Sequence, residues 1–186
     1  MEKEILRRAV HACAPMFALA YLIPEEIGPV PRAAVILAAW AAFALFEAYR
    51  IRKGIHILGL REYERNRPSA AFWMCSAFVP MILFFPLGYA LPLLVGFGFV
   101  DPLCGILRRR DSNLYPAVPL MVYFLIFFPL LAFFCGLTAG VLATSVLVTI
   151  SAIAAESIKS RIVDDDFLML FVPLTVLWIA GSLLII

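Results

Sequence analysis

Three acidic residues stand where apolar stretches run out. Glu47 closes Phe46-Glu47-Ala48-Tyr49-Arg50, Asp101 closes Gly98-Phe99-Val100-Asp101-Pro102, and Glu156 closes Ala154-Ala155-Glu156-Ser157. A carboxylate beside hydrocarbon is costly unless it snorkels to the interface, finds a partner or has chemistry to perform. For Glu47, with Arg50 three residues on, a snorkelling ion pair explains the residues as well as catalysis does. Asp101 has more unusual company. Asp101, Gly105 and Arg108 are four and three residues apart, hence on one helical face. A metal on the acid, a phosphate on the guanidinium and a backbone left open at the glycine suit phosphoryl transfer. Asp164-Asp165-Asp166 adds hard oxygen ligands of the kind Mg²⁺ takes. Arg108, Arg109, Arg110, Lys159 and Arg161 are the cations that would clamp phosphates. His11 lies at the start of the first apolar stretch, and the arginines from Arg50 to Arg67 read as anionic-lipid contacts or topology signals.

The elements that must position these groups follow from composition. Of 186 residues, 64% are hydrophobic and 15% are charged, against roughly a quarter charged in soluble domains. Such a chain cannot cover a core in water, which excludes a soluble enzyme, a nucleic-acid binder and a disordered tail. The expectation is an all-α polytopic membrane bundle forming a single domain over residues 1–186. Pro68 to Val100 and Ser112 to Ala155 carry no charge. The first of these would be a helix of roughly 50 Å against a hydrocarbon core of about 30 Å, so each must turn. Pro86, Gly88 and Pro92 offer the first turn, and Gly136 and Gly140 the second. With Ala9–Ile23, Ala33–Phe46 and Phe167–Ile186 the total is seven crossings, or six if one prolyl segment is re-entrant. Strands are excluded by long runs without alternation. Cys13, Cys75, Cys104 and Cys135 have no zinc or disulfide spacing and read as small apolar residues.

Orientation follows from Lys and Arg. In a seven-span layout every basic residue except Arg32 falls on one side, and so does every acid except Glu25 and Glu26. That puts the N-terminus in the cytoplasm and the C-terminus outside. Glu47, Asp101, Glu156 and His11 then lie at about the same depth on the cytoplasmic face, where a phosphate-handling site belongs.

In order, these pieces resemble the CTP-dependent lipid kinases: dolichol and polyprenol kinases, phytol kinases and the yeast-type diacylglycerol kinase. The matching residues are Arg8-x-x-His11, Glu47-x-x-Arg50, Asp101-Pro102-x-x-Gly105-x-x-Arg108, Glu156, Asp165-Asp166 and Pro173. The resemblance implies CTP and Mg²⁺ held by cytoplasmic loops and a membrane lipid hydroxyl as acceptor. Three departures accompany it. Val100 stands where the family has Gly, and Asp166 where it has Asn. The Lys-rich stretch that should follow Arg108 is replaced by Asp111-Ser112-Asn113-Leu114-Tyr115-Pro116, as in a compact prokaryotic branch. The expected activity is CTP-dependent phosphorylation of an isoprenoid alcohol at the inner face of a prokaryotic cell membrane. Asp101, Asp165 and Asp166 would hold Mg²⁺. Gly105, Arg108, Arg109, Arg110, Lys159 and Arg161 would bind the nucleotide, and Glu156 or Glu47 would orient or deprotonate the alcohol. Two alternatives stand beside it. A CTP-using cytidylyltransferase would make a CDP-lipid, but its P-G-H-G-G and D-R-x-D signatures are absent. A lipid-binding or transport protein would need polar groups at mid-membrane. Thr144, Ser145, Thr149 and Ser151 are the only such run, and they fit bonds to their own helix better.

Overall fold

The computed structural model describes residues 8–184 except His56, Leu58, Lys159 and Arg161. Helices dominate it. A helical turn over residues 8–12 tightens into a 3-10 helix, Ala14–Leu22, with Pro15 in its first turn. A two-residue antiparallel ribbon, β1 (Glu26–Ile27) with β2 (Val30–Pro31), follows and turns at Gly28. Six α-helices follow among the described residues: α1 (Arg32–Lys53), α2 (Ala70–Phe84), α3 (Leu87–Arg109), α4 (Ala117–Cys135), α5 (Ala139–Glu156) and α6 (Asp165–Leu184). All of them except α2 are long and apolar enough to cross a membrane. α2, at 15 residues, is shorter. The first apolar segment is mostly 3-10, with nine residues in Ala14–Leu22, spanning about 18 Å at the steeper 3-10 rise.

The expected turns fall close to where the prolines and glycines put them. α2 ends at Phe85–Pro86, and Gly136, at φ +84°, ends α4. Pro92 lies inside α3 rather than at the turn. Ser69 and Thr138 cap α2 and α5 by accepting the backbone N–H of Phe72 at 3.2 Å and of Val141 at 3.1 Å. Tyr21 donates to the carbonyls of Met81 and Phe85 at 3.0 and 2.9 Å, satisfying the end of α2.

One expectation needs correction. Glu47 and Asp101 do not sit at helix ends. α1 continues to Lys53 and α3 to Arg109, because Arg50, Arg52, Lys53, Arg108 and Arg109 in the last turns complement the negative end of each helix. Of the expected sites, only Glu156 ends its helix.

α3 is the most buried of the long helices and α1 the most exposed. α5 packs on α6, α3 on α4 and on the 3-10 segment, and α2 bridges to α6. Gly96 on α3 lets the Tyr123 ring lie where a Cβ would be 2.9 Å away. Phe133 and Leu125 on α4 and Trp178 on α6 stay exposed, as suits lipid-facing surfaces.

Candidate functional site

Three elements distant in sequence deliver one buried polar cluster. The first is the N-terminal helical turn carrying His11. It approaches α3 closely because residue 98 is glycine: a Cβ there would lie 2.9 Å from the His11 carbonyl oxygen. Asp101 follows Gly98 by three residues, on the same face. α6 supplies Asp166 in its first turn, where acids are favoured by the helix N-terminus. The Asp164 carboxylate accepts the Asp166 N–H at 3.2 Å and fixes that turn. His11 Nε2 then lies 3.0 Å from Asp166 Oδ2 and 3.3 Å from Asp101 Oδ2. All three residues are buried. With two carboxylate oxygens facing one ring nitrogen, a proton on Nε2 is the arrangement that avoids repulsion between lone pairs. His11 therefore positions both carboxylates.

Asp166 also belongs to a second group, with Asp164 and Asp165, whose carboxylate oxygens lie within 4.8 Å of one another. Burial, then the charges of Asp166 and Asp165, push the Asp164 carboxyl up to about 8. An all-oxygen set under such mutual repulsion fits Mg²⁺. The imidazole makes the His11 group a poorer Mg²⁺ site. Of the expected metal ligands, Asp165 and Asp166 lie together, and Asp101, on α3, joins them through Asp166.

Glu156 is buried beside this cluster with both oxygens engaged. Arg108 bonds to Oε1, and Tyr115 donates to Oε2 at 3.1 Å. The Arg108 guanidinium lies 5.8 Å from the centre of the Tyr115 ring. Burial and then the Glu156 charge push the Tyr115 phenol up to about 12. Arg108→Ala, which leaves Glu156 buried without its cation, is expected to cost about 1–3 kcal/mol of stability. Tyr115→Phe is expected to cost less, about 1 kcal/mol. Thermal unfolding of the two variants checks this order.

Glu47 and Arg50 form a clasp. The fully buried Arg50 donates to Glu47 Oε1 at 3.1 Å and Oε2 at 2.9 Å. It also donates to the carbonyls of Glu64 at 3.1 Å and Arg67 at 2.7 Å. Glu47 accepts the Ser69 N–H at 3.0 Å, and Glu64 accepts the Ala70 N–H at 2.8 Å. The strap between α1 and α2 is thereby tied down. Glu47 ties down that strap, and Arg50 faces inward rather than towards lipid headgroups.

The strap walls two spaces. A cleft of about 620 Å³ is lined by Arg61, Tyr63, Arg67 and Trp73 together with Ile158, Ser160, Ile162, Asp164 and Asp165. A cavity of about 270 Å³ reaches His11, Glu47 and Asp166. Asp165 thus faces the cleft and its neighbour Asp166 the cavity. Arg109 and Arg110 lie elsewhere, with Arg8 around a third hollow of about 200 Å³. Arg109 donates to the Gly105 carbonyl at 3.0 Å, so its side chain lies along the gap at that glycine. Lys159 and Arg161 fall outside the described residues. Sequence reasoning missed Arg61, Arg67 and Trp73, because only folding brings the strap arginines and the first turn of α2 to the segment that carries the acids. No family model, curated protein or solved structure matches this chain.

Proposed function

We propose that this protein phosphorylates the hydroxyl of a membrane isoprenoid alcohol, using CTP, at the cytoplasmic membrane face. One observation carries the reading: Asp101 and Asp166 meet on His11 next to a cleft lined by both arginines and acids. Phosphoryl transfer needs that combination, with cations for the phosphates and carboxylates for a metal and a proton. Bound Mg²⁺ would offset charge on the phosphates, with Asp164, Asp165 and Asp166 as its holders. Arg61 and Arg67 bind the phosphates and Trp73 offers a face to the base. The acceptor oxygen bonds to the γ-phosphorus as the bond to the β,γ-bridging oxygen breaks. The hydroxyl proton passes to the carboxylate pair, His11 keeps both carboxylates in place, and CDP leaves. Glu156 holds Arg108 rather than acting as the base, since its oxygens are engaged.

The same reading gives seven crossings, with the N-terminal segment and α2 as the short ones and the cluster at the inner face. It is supported by the segregation of Lys and Arg.

Product analysis with CTP or ATP, Mg²⁺ and a panel of polyprenol, phytol and diacylglycerol tests the reaction class. CDP with a lipid monophosphate is the expected result. Pyrophosphate with a CDP-lipid formed from a lipid phosphate would overturn it in favour of nucleotidyl transfer. Arg61→Ala and Arg67→Ala are each expected to raise the nucleotide KM by about tenfold, the equivalent of about 1.4 kcal/mol. Initial rates at varied CTP check this, and the alcohol KM is expected to stay unchanged.

A further inference from the structure

The cavity of about 270 Å³ lies against the carboxylate cluster, reaching His11 and Asp166. Phe43 and Phe46 of α1 and Met74 of α2 give it apolar walls. Its inner end is polar, where His11 and Asp166 reach it. The other carboxylates on its wall are committed to the strap: Glu47 to Arg50 and Ser69, Glu64 to the Ala70 N–H. Its outer rim is apolar as well. Val10, Phe46 and Ile57 line it and are 42%, 46% and 38% exposed. In a bilayer that rim faces lipid.

We propose that this cavity holds the hydroxyl end of a single-chain lipid alcohol, with the chain leaving past Val10 and Phe46 into the bilayer. The assignment rests on the kinase reading for the chemistry at the cluster, but not for binding. Pockets that enclose whole small ligands run from about 300 to 1,000 Å³, so this one encloses only the first carbons next to the hydroxyl. One single-chain approach fits. A glycerol whose second and third carbons carry acyl chains branches immediately beside its hydroxyl, and is excluded. Selectivity thus falls on the first few carbons of the alcohol, and total chain length matters little.

Photo-labelling tests this without turnover. The probe is a prenyl alcohol carrying a diazirine in its first isoprene unit, added to the full-length protein in nanodiscs without nucleotide. Label is expected on Phe46, Ile57 or Met74, displaced by unlabelled long-chain polyprenol and not by dioleoylglycerol. Ala71→Phe narrows the cavity from α2. It is expected to cut labelling and raise the alcohol KM about tenfold, with the nucleotide KM unchanged. Phe46→Trp, on the exposed rim, does the same if Ala71→Phe fails to fold. Unsaturable label spread over the outer face of α4 would overturn the cavity assignment. Equal displacement by dioleoylglycerol would overturn the single-chain part. A protein that labels in the cavity but transfers no phosphate overturns the kinase reading alone. One that transfers phosphate but labels elsewhere overturns this assignment alone.

Discussion

Asp101→Asn is expected to lower turnover by about 10³-fold or more while leaving the protein folded and at least as stable. The two halves of that result have one cause. The Asp101 carboxylate is buried and shares His11 with Asp166, its Oδ2 lying 3.3 Å from Nε2. The amide keeps its shape but carries no charge and accepts no proton. Loss of one preorganised electrostatic group costs about 10²–10³-fold, and loss of a general base about 10²–10⁴-fold. Removing a negative charge from a crowded, buried acidic cluster relieves repulsion, so the thermal midpoint is expected to hold or rise. A residue that only supported the fold would give the opposite pattern. Asp166→Asn is expected to behave alike, and the double variant to be little worse than either single one, because the pair acts as a unit. Steady-state rates and thermal unfolding of the same preparations check both halves. Near wild-type turnover in folded Asp101→Asn would remove this carboxylate from the reaction.

Arg50→Met is expected to do the reverse, destabilising the protein by about 3–5 kcal/mol. Its guanidinium is fully buried and makes hydrogen bonds to Glu47 and to two strap carbonyls. Removing it leaves the Glu47 carboxylate buried without its cation, the circumstance in which breaking a pair costs most. Arg50→Lys is expected to rescue little, since an ammonium cannot bond to both oxygens of Glu47 and reach the carbonyls of Glu64 and Arg67. Arg52→Met, exposed two residues on, is the control, with an expected change within about 0.5 kcal/mol. Unfolding midpoints in one detergent check the series. The strap walls both the cleft and the cavity, so surviving Arg50→Met protein is also expected to bind nucleotide and alcohol less well.

How much of this was legible beforehand depends on range. Asp101, Asp165 and Asp166 were legible by type and by level, because scarce charge in an apolar chain collects where helices leave hydrocarbon. The turns at Pro86 and Gly136 were legible from local backbone chemistry. That Glu47 and Asp101 lie inside their helices was not legible from hydropathy, since α1 runs on through Lys53 and α3 through Arg109. Hydropathy marks the limit of apolar residues, and helix length is set by hydrogen bonding and by basic residues that suit the last turn. His11 was legible by its level and by the Arg8-x-x-His11 match, but its partners were not. Its role depends on Gly98 admitting the N-terminal segment, and on α6 arriving from 155 residues away. Arg61 and Arg67 were illegible for a similar reason, since Arg50 ties down their strap, and so was Trp73, which joins them from the first turn of α2. Nor did composition disclose that the first apolar segment is largely 3-10.

The central claim is a phosphoryl transfer, and the transfer itself tests it most directly. Wild-type protein in lipid vesicles would be given γ-labelled CTP, Mg²⁺ and a polyprenol, and both phases followed over time. The account predicts labelled phosphate in the lipid phase matched by CDP in the aqueous phase, both requiring Mg²⁺ and both lost with Asp101→Asn. Label that stays out of the lipid phase for every nucleotide and alcohol tried would contradict it.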